Sequence, residues 1–145
     1  MQRNDLVGLA SQIAEKAHHG QKRWNGEPYF EHCCRVAQRV RDVGGTPQQI
    51  AAAYLHDTVE DTGTTLADLT NGGVPFDVVC LIEVLTRDPY ESYEPYIDRV
   101  AQYDEAVIIK LADLEDNLRD LDKAKRPDLY FRYTAAGIRL KKGQA

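Results

Sequence analysis

AVIIKLADLEDNLRDL, residues 106–121, carries Val107, Leu111, Leu114, Leu118 and Leu121 at steps of three and four residues, the spacing of an apolar stripe along a helix. Asp113 interrupts that stripe, and a carboxylate buried without a partner is costly. A cation beside it would remove the difficulty. Asn117 lies one turn further on and shares the face of Asp113.

The same periodicity extends through the rest of the chain. Leu6, Leu9, Ile13 and Ala17 predict a first helix, with Asn4 and Asp5 as caps and an end near His18-His19-Gly20. GQKRWNGEPY reads as a loop punctuated by two glycines and a proline. Cys33, Val36, Ala37 and Val40 predict a second helix that stops at Gly44-Gly45 and carries His32 in its first turns. Thr46-Pro47 opens a third, which Ile50 to Leu55 carry into His56-Asp57. Shorter helices are expected over 65–69, 75–85 and about 96–103, the last announced by Ser92, Glu94 and Pro95. A final helix is expected from near Pro127 to Leu140, before a basic tail. Strands have little support, so the expected fold class is all-α.

At 145 residues, the chain is read as one domain, 1–145, long enough to bury its own core. Its 43% hydrophobic and 28% charged content is that of a globular protein, which excludes a disordered or fibrous chain. The net charge of -5 argues against general binding to nucleic acids or anionic membranes, while leaving room for a small phosphorylated ligand where bases gather locally. Cys33, Cys34 and Cys80 form no CxxC pair, which fits a reducing compartment. With no signal peptide or membrane-length apolar run in view, a cytoplasmic protein is expected.

His32, His56, Asp57 and Asp113 offer two imidazoles and two carboxylates, a donor set suited to Mn²⁺, Zn²⁺ or Fe²⁺. Each has a plainer reading alone: a lone helical histidine is more often a hydrogen-bonded core residue, and His-Asp at a helix end can simply cap. Together, on three converging helices, they would leave room on one ion for water and substrate. Glu60 and Asp61, on a continuing helix, would share faces with Asp57 and His56 and handle a proton. In isolation, VEDT is better read as a solvated acidic helix terminus. Lys22 and Arg23 could grip phosphate oxygens, with the arginine capable of a bidentate contact. Trp24 would stack on a base or pack against the next helix. Tyr90, Tyr93, Tyr96, Tyr130 and Tyr133 suggest an aromatic stripe for assembly into a homo-oligomer, and are equally ordinary as packing.

GQKRWNGEPYFEHCCRVA (20–37), AAAYLHDTVEDT (51–62), EVLTRD (83–88) and IIKLADLEDNLRDL (108–121), in this order, resemble the hydrolase domain of the RelA/SpoT family. That group includes small single-domain (p)ppGpp hydrolases and lies within the HD-domain phosphohydrolase superfamily. The resemblance implies an all-helical HD bundle, with His32, His56, Asp57 and Asp113 binding Mn²⁺. It also implies that Glu60 and Asp61 position or activate the hydrolytic water. Arg23 would contact nucleotide and phosphate, Asn117 would help hold the nucleotide, and the reaction would release pyrophosphate from the 3′ position of ppGpp or pppGpp. Trp24 stands where relatives often have lysine. Leu114, Asp116 and Asp120 replace the usual arginine, histidine and threonine, and two added acids are unfavourable near a polyanion. These departures motivate two rivals: the same chemistry on another phosphate ester, such as a deoxynucleotide or an NADPH-like dinucleotide, or a nucleotide-sensing module without turnover.

Overall fold

In the computed structural model, residues 3–143 are described, and nine helices with short connections account for them: α1 (Arg3–Ala17), α2 (Tyr29–Asp42), α3 (Pro47–Leu55), α4 (Thr58–Asp61), α5 (Leu66–Asn71), α6 (Phe76–Leu85), α7 (Tyr93–Val100), α8 (Asp104–Arg119) and α9 (Pro127–Lys142). The all-α expectation holds. Among the described residues, the only extended pairing is a single bridge between Lys22 and Pro28, which pinches the loop before α2.

α3 is the hub, packed by α1, α2, α6 and α8. Ala51, Ala52 and Ala53 are fully buried in it, and such small side chains let neighbouring helix axes come close. Ile50 and Leu55 extend its contact with Val36, Val40, Ile82 and Ile109 in one continuous apolar core. α2 also packs on α8, so His32, the end of α3 and Asp113 are drawn to one place.

The α2–α3 corner shows how local sequence sets that geometry. Gly44 has φ +84, and the amides of Gly44 and Gly45 donate to Arg41 O (3.0 Å) and Val40 O (2.9 Å), closing a Schellman turn. A Cβ on Gly45 would sit 2.5 Å from Val40 Cγ1, so a larger residue would push α2 away. Thr46 then caps α3 in a reciprocal box with Gln49, whose side-chain amide also donates to Glu105 O at 3.1 Å and ties α3 to the start of α8.

Several boundaries differ from expectation. α1 begins at Arg3, so Asn4 and Asp5 lie within its first turn instead of capping it. α7 starts at Tyr93 behind Ser92 and ends at Val100, and α9 runs on to Lys142; Gln144 and Ala145 of the basic tail lie outside the described residues. α8 stops at Arg119, leaving Leu121 beyond it. The tyrosine stripe does not exist as an exposed surface: Tyr96 is buried with its hydroxyl on Leu85 O, Tyr93 and Tyr133 pack partly against the core, and Tyr90 stands in solvent.

Candidate metal centre

The third helix does not carry straight through His56-Asp57. α3 ends at Leu55, His56 is its C-cap, and Asp57 sits at φ -105, ψ 1, outside helical geometry. The buried Thr58 hydroxyl donates to Leu55 O at 2.8 Å, satisfying a carbonyl freed by the break. The one-turn α4 follows. Shared helical faces therefore do not explain the placing of Glu60 and Asp61; the kink at Asp57 does.

This break lets His56 and Asp57 both turn toward α2 and α8. His56 Nε2 lies 2.8 Å from Asp57 Oδ2 and 3.1 Å from Asp113 Oδ1, and His32 Nε2 lies 3.0 Å from Asp113 Oδ1 and 3.6 Å from Asp57 Oδ2. One donor atom from each of the four residues lies within 4.8 Å of all the others, so the four residues expected from the sequence come together.

Both imidazoles present the same nitrogen for a reason. His56 Nδ1 donates to Ala53 O at 2.6 Å, and His32 Nδ1 donates to Asp116 Oδ2 at 2.7 Å. With Nδ1 committed, each Nε2 faces the carboxylates, the arrangement a ligating histidine needs. Two imidazole nitrogens and two carboxylate oxygens fit a divalent transition cation, so the donor set and its geometry agree.

Electrostatics point the same way. Burial disfavours a charged His32, yet hydrogen bonds to Asp113, Asp116 and Asp57 outweigh it and raise the imidazole to about 10. His56 moves in the same direction, its burial overcome chiefly by Asp57 and Asp113. Burial would raise Asp113, but Lys110 and the two histidines hold it well below the usual carboxylate range. The nest is rich in negative charge and draws positive charge in.

Asp113 is not without protein partners. Lys110 Nζ donates to its Oδ2 at 2.8 Å, leaving Oδ1 for the imidazoles, and Asn117 Nδ2 donates to Oδ1 at 3.3 Å. Lys110 was hidden in the sequence by its place inside an apolar run, although its three-residue spacing from Asp113 is a pairing distance. Asp116, an added acid by sequence, is fully buried and turned toward His32 and Arg35, whose guanidinium offsets its charge. Asp120 pairs with Arg119 beyond the end of α8, and Leu114 belongs to the core.

Glu60 and Asp61 stand at the rim. Tyr29 Oη lies 2.5 Å from Asp57 Oδ2 and 3.2 Å from Asp61 Oδ2, linking the cluster to the acid beside it. Glu60 Oε1 accepts the Arg87 amide at 2.7 Å. Protein packed around the Asp61 carboxyl, then the charges of Asp57 and Glu60, push it up to about 6; burial is also the main cause raising Glu60. A cleft of about 1030 Å³ opens beside both acids, lined also by Thr86, Arg87 and Tyr90.

Arg23 is buried in its loop, with Nη2 donating to Asn117 Oδ1 at 3.2 Å and Nη1 to Glu27 Oε1 at 3.4 Å. Two of the three expected substrate contacts, Arg23 and Asn117, thus touch each other at the edge of the cluster. Lys22 projects into solvent, and Trp24 is 65% exposed, covering no core.

A family model described as an HD domain matches residues 10–87, which include the kinked His-Asp pair and His32. The chain belongs to the HD-domain family. It is 34% identical over 131 residues to a GTP pyrophosphokinase of Streptomyces coelicolor, a match spanning 83% of this chain and 15% of that protein. It is 32% identical over 128 residues to a guanosine-3′,5′-bis(diphosphate) 3′-pyrophosphohydrolase of Aquifex aeolicus, spanning 83% and 18%. The chain therefore spans less than a fifth of the length of these curated relatives. A solved structure of a metazoan ortholog of SpoT, described as hydrolysing ppGpp, superposes with TM-score 0.78 at 28% identity, covering 93% of this chain and 84% of that one. Among the described residues, no helix is long and apolar enough to cross a membrane, and Cys33, Cys34 and Cys80 are free thiols.

Proposed function

We propose that this HD domain is a Mn²⁺-dependent hydrolase that removes the 3′-pyrophosphate of ppGpp or pppGpp, giving GDP or GTP and pyrophosphate. The observation that carries the proposal is the convergence of His32, His56, Asp57 and Asp113, joined through Tyr29 to an acid poised near neutrality. The likeness to the Aquifex pyrophosphohydrolase and to the metazoan ppGpp-hydrolysing structure supports the substrate.

In this reading His32, His56, Asp57 and Asp113 would hold the cation, which would supply Lewis acidity and acidify water. Glu60 and Asp61 take a proton from the attacking water and return one to the departing 3′-oxygen as its bond to phosphorus breaks. Tyr29 keeps the Asp61 carboxyl beside Asp57, and the Arg87 amide fixes Glu60. Arg23, steadied by Asn117, offsets phosphate charge with Lys22 beside it at the loop surface. The cytoplasm, where such a nucleotide would be met, is the proposed compartment.

A second reading keeps the chemistry and changes the nucleotide. It is favoured by Trp24, an exposed ring in the phosphate-gripping loop where a second cation would otherwise stand. Product analysis of ppGpp, GTP, dATP and NADPH with Mn²⁺-loaded protein separates the two. GDP and pyrophosphate from ppGpp are expected. Turnover confined to another member of the panel would reassign the substrate, and none at all would leave a binding module.

A further inference from the structure

We propose that Asp116 is a positioning residue that makes His32 the stronger of the two imidazole donors and thereby sets the affinity of the cation site. The inference rests on the reading of His32 as a cation ligand and goes beyond it. Asp116 lies one turn after Asp113 on α8 and is fully buried. Its Oδ2 accepts from His32 Nδ1 at 2.7 Å and from Arg35 Nη2 at 3.0 Å, while its Oδ1 accepts from Arg35 Nε at 2.7 Å. Arg39 Nη2 at 3.8 Å and Arg23 Nη1 at 3.9 Å surround the same carboxylate.

Three guanidinium groups keep this buried acid ionised, and Arg35 is itself held by Glu27, so the carboxylate has no freedom to turn away from His32. A carboxylate can only accept the proton of Nδ1, so Nε2, on the side of Asp57 and Asp113, is the nitrogen left to offer its lone pair to a cation. His56 is treated differently: its Nδ1 donates to the neutral carbonyl of Ala53. A carboxylate polarises an imidazole more strongly than an amide carbonyl does, so His32 is the more basic donor. Asp113, Asp116 and Asn117 thus divide the work of one helical turn: a ligand, the orienter of a second ligand, and the group that holds Arg23.

The test is a titration of full-length protein with Mn²⁺, following free ion by electron paramagnetic resonance, for wild type, Asp116→Asn and Glu115→Gln. Asp116→Asn keeps the size of the side chain and removes its charge, and should weaken binding roughly 10–100-fold. Glu115→Gln removes a charge from the exposed neighbour that pairs with Arg39, and should change affinity by less than about twofold, as expected of a screened surface charge. Equal binding by wild type and Asp116→Asn, or equal weakening by Glu115→Gln, would overturn the inference while leaving the cation site standing. A wild type that binds no cation would instead remove the proposed function beneath it. Nitrogen-15 spectra of Zn²⁺-loaded wild type decide independently of whether the variant folds: the His32 Nδ1–H signal should lie downfield of that of His56, and the reverse order would overturn the inference.

Discussion

Two groups of polar residues meet at one end of the helical bundle, and they are built in opposite ways. His32, His56 and Asp113 are buried, stand on or cap helices of nine residues or more, and have their remaining donor and acceptor atoms committed to Asp116, Ala53 and Lys110. Glu60, Asp61, Lys22 and Trp24 stand on a one-turn helix or a loop at the solvent-facing rim, the two carboxyls partly packed by protein. The first group can hold its shape before anything binds, because moving any member would strand a buried polar atom. The second can vary without cost to the core. A constant piece of chemistry is therefore rigidly placed, while the surface that meets the substrate is free to differ.

Breaking the cluster that the buried group forms with Asp57 should have the largest effect. Asp57→Ala should abolish both cation binding and turnover, exceeding the roughly 10–100-fold that an outer partner is worth. Metal analysis beside a turnover assay checks both, and full activity would contradict the assignment. At the rim, Glu60→Gln should retain a full complement of metal and hydrolyse about 10²–10⁴-fold more slowly, a loss confined to kcat. Wild-type rates would remove Glu60 from the mechanism.

Arg23 lies between the two groups, and its response sharpens the division. Arg23→Ala should lower kcat/KM roughly 10–100-fold through lost charge-assisted contacts, with metal content unchanged. Simultaneous loss of the cation would place this arginine in the buried group.

The smallest effect concerns His18, whose ring packs 4.7 Å from that of Tyr29. Burial lowers its pKa below 6.5, so the unfolded chain binds the proton more readily. Stability from this residue should be unaffected well above pH 6.5 and should fall as pH drops below it. Melting curves of wild type and His18→Gln should therefore diverge on the acid side and run parallel above neutrality. Divergence only on the alkaline side would contradict the sign.

The division also explains what the sequence made legible. Apolar steps in 106–121 and the caps at Thr46 and Gly44 declare helices, and ligand residue types at His32, His56, Asp57 and Asp113 declare a cluster, because both depend on local chemistry. The break after Leu55 was not legible, since Thr58 bonding back to the Leu55 carbonyl is a local contact that a threonine makes equally well inside a continuing helix. Asp116 read as an unwelcome acid because its partners Arg35 and His32 lie more than eighty residues away in sequence. Likewise, the tyrosines shared a composition but not a surface, for burial of Tyr96 depends on how α6 and α7 meet.

The most direct test is reconstitution. Protein stripped of metal with a chelator and then titrated with Mn²⁺ should release pyrophosphate from ppGpp in proportion to added ion, levelling at one equivalent per chain, with Asp57→Ala silent throughout. Undiminished release from the stripped protein, or no release once the site is filled, would contradict the account.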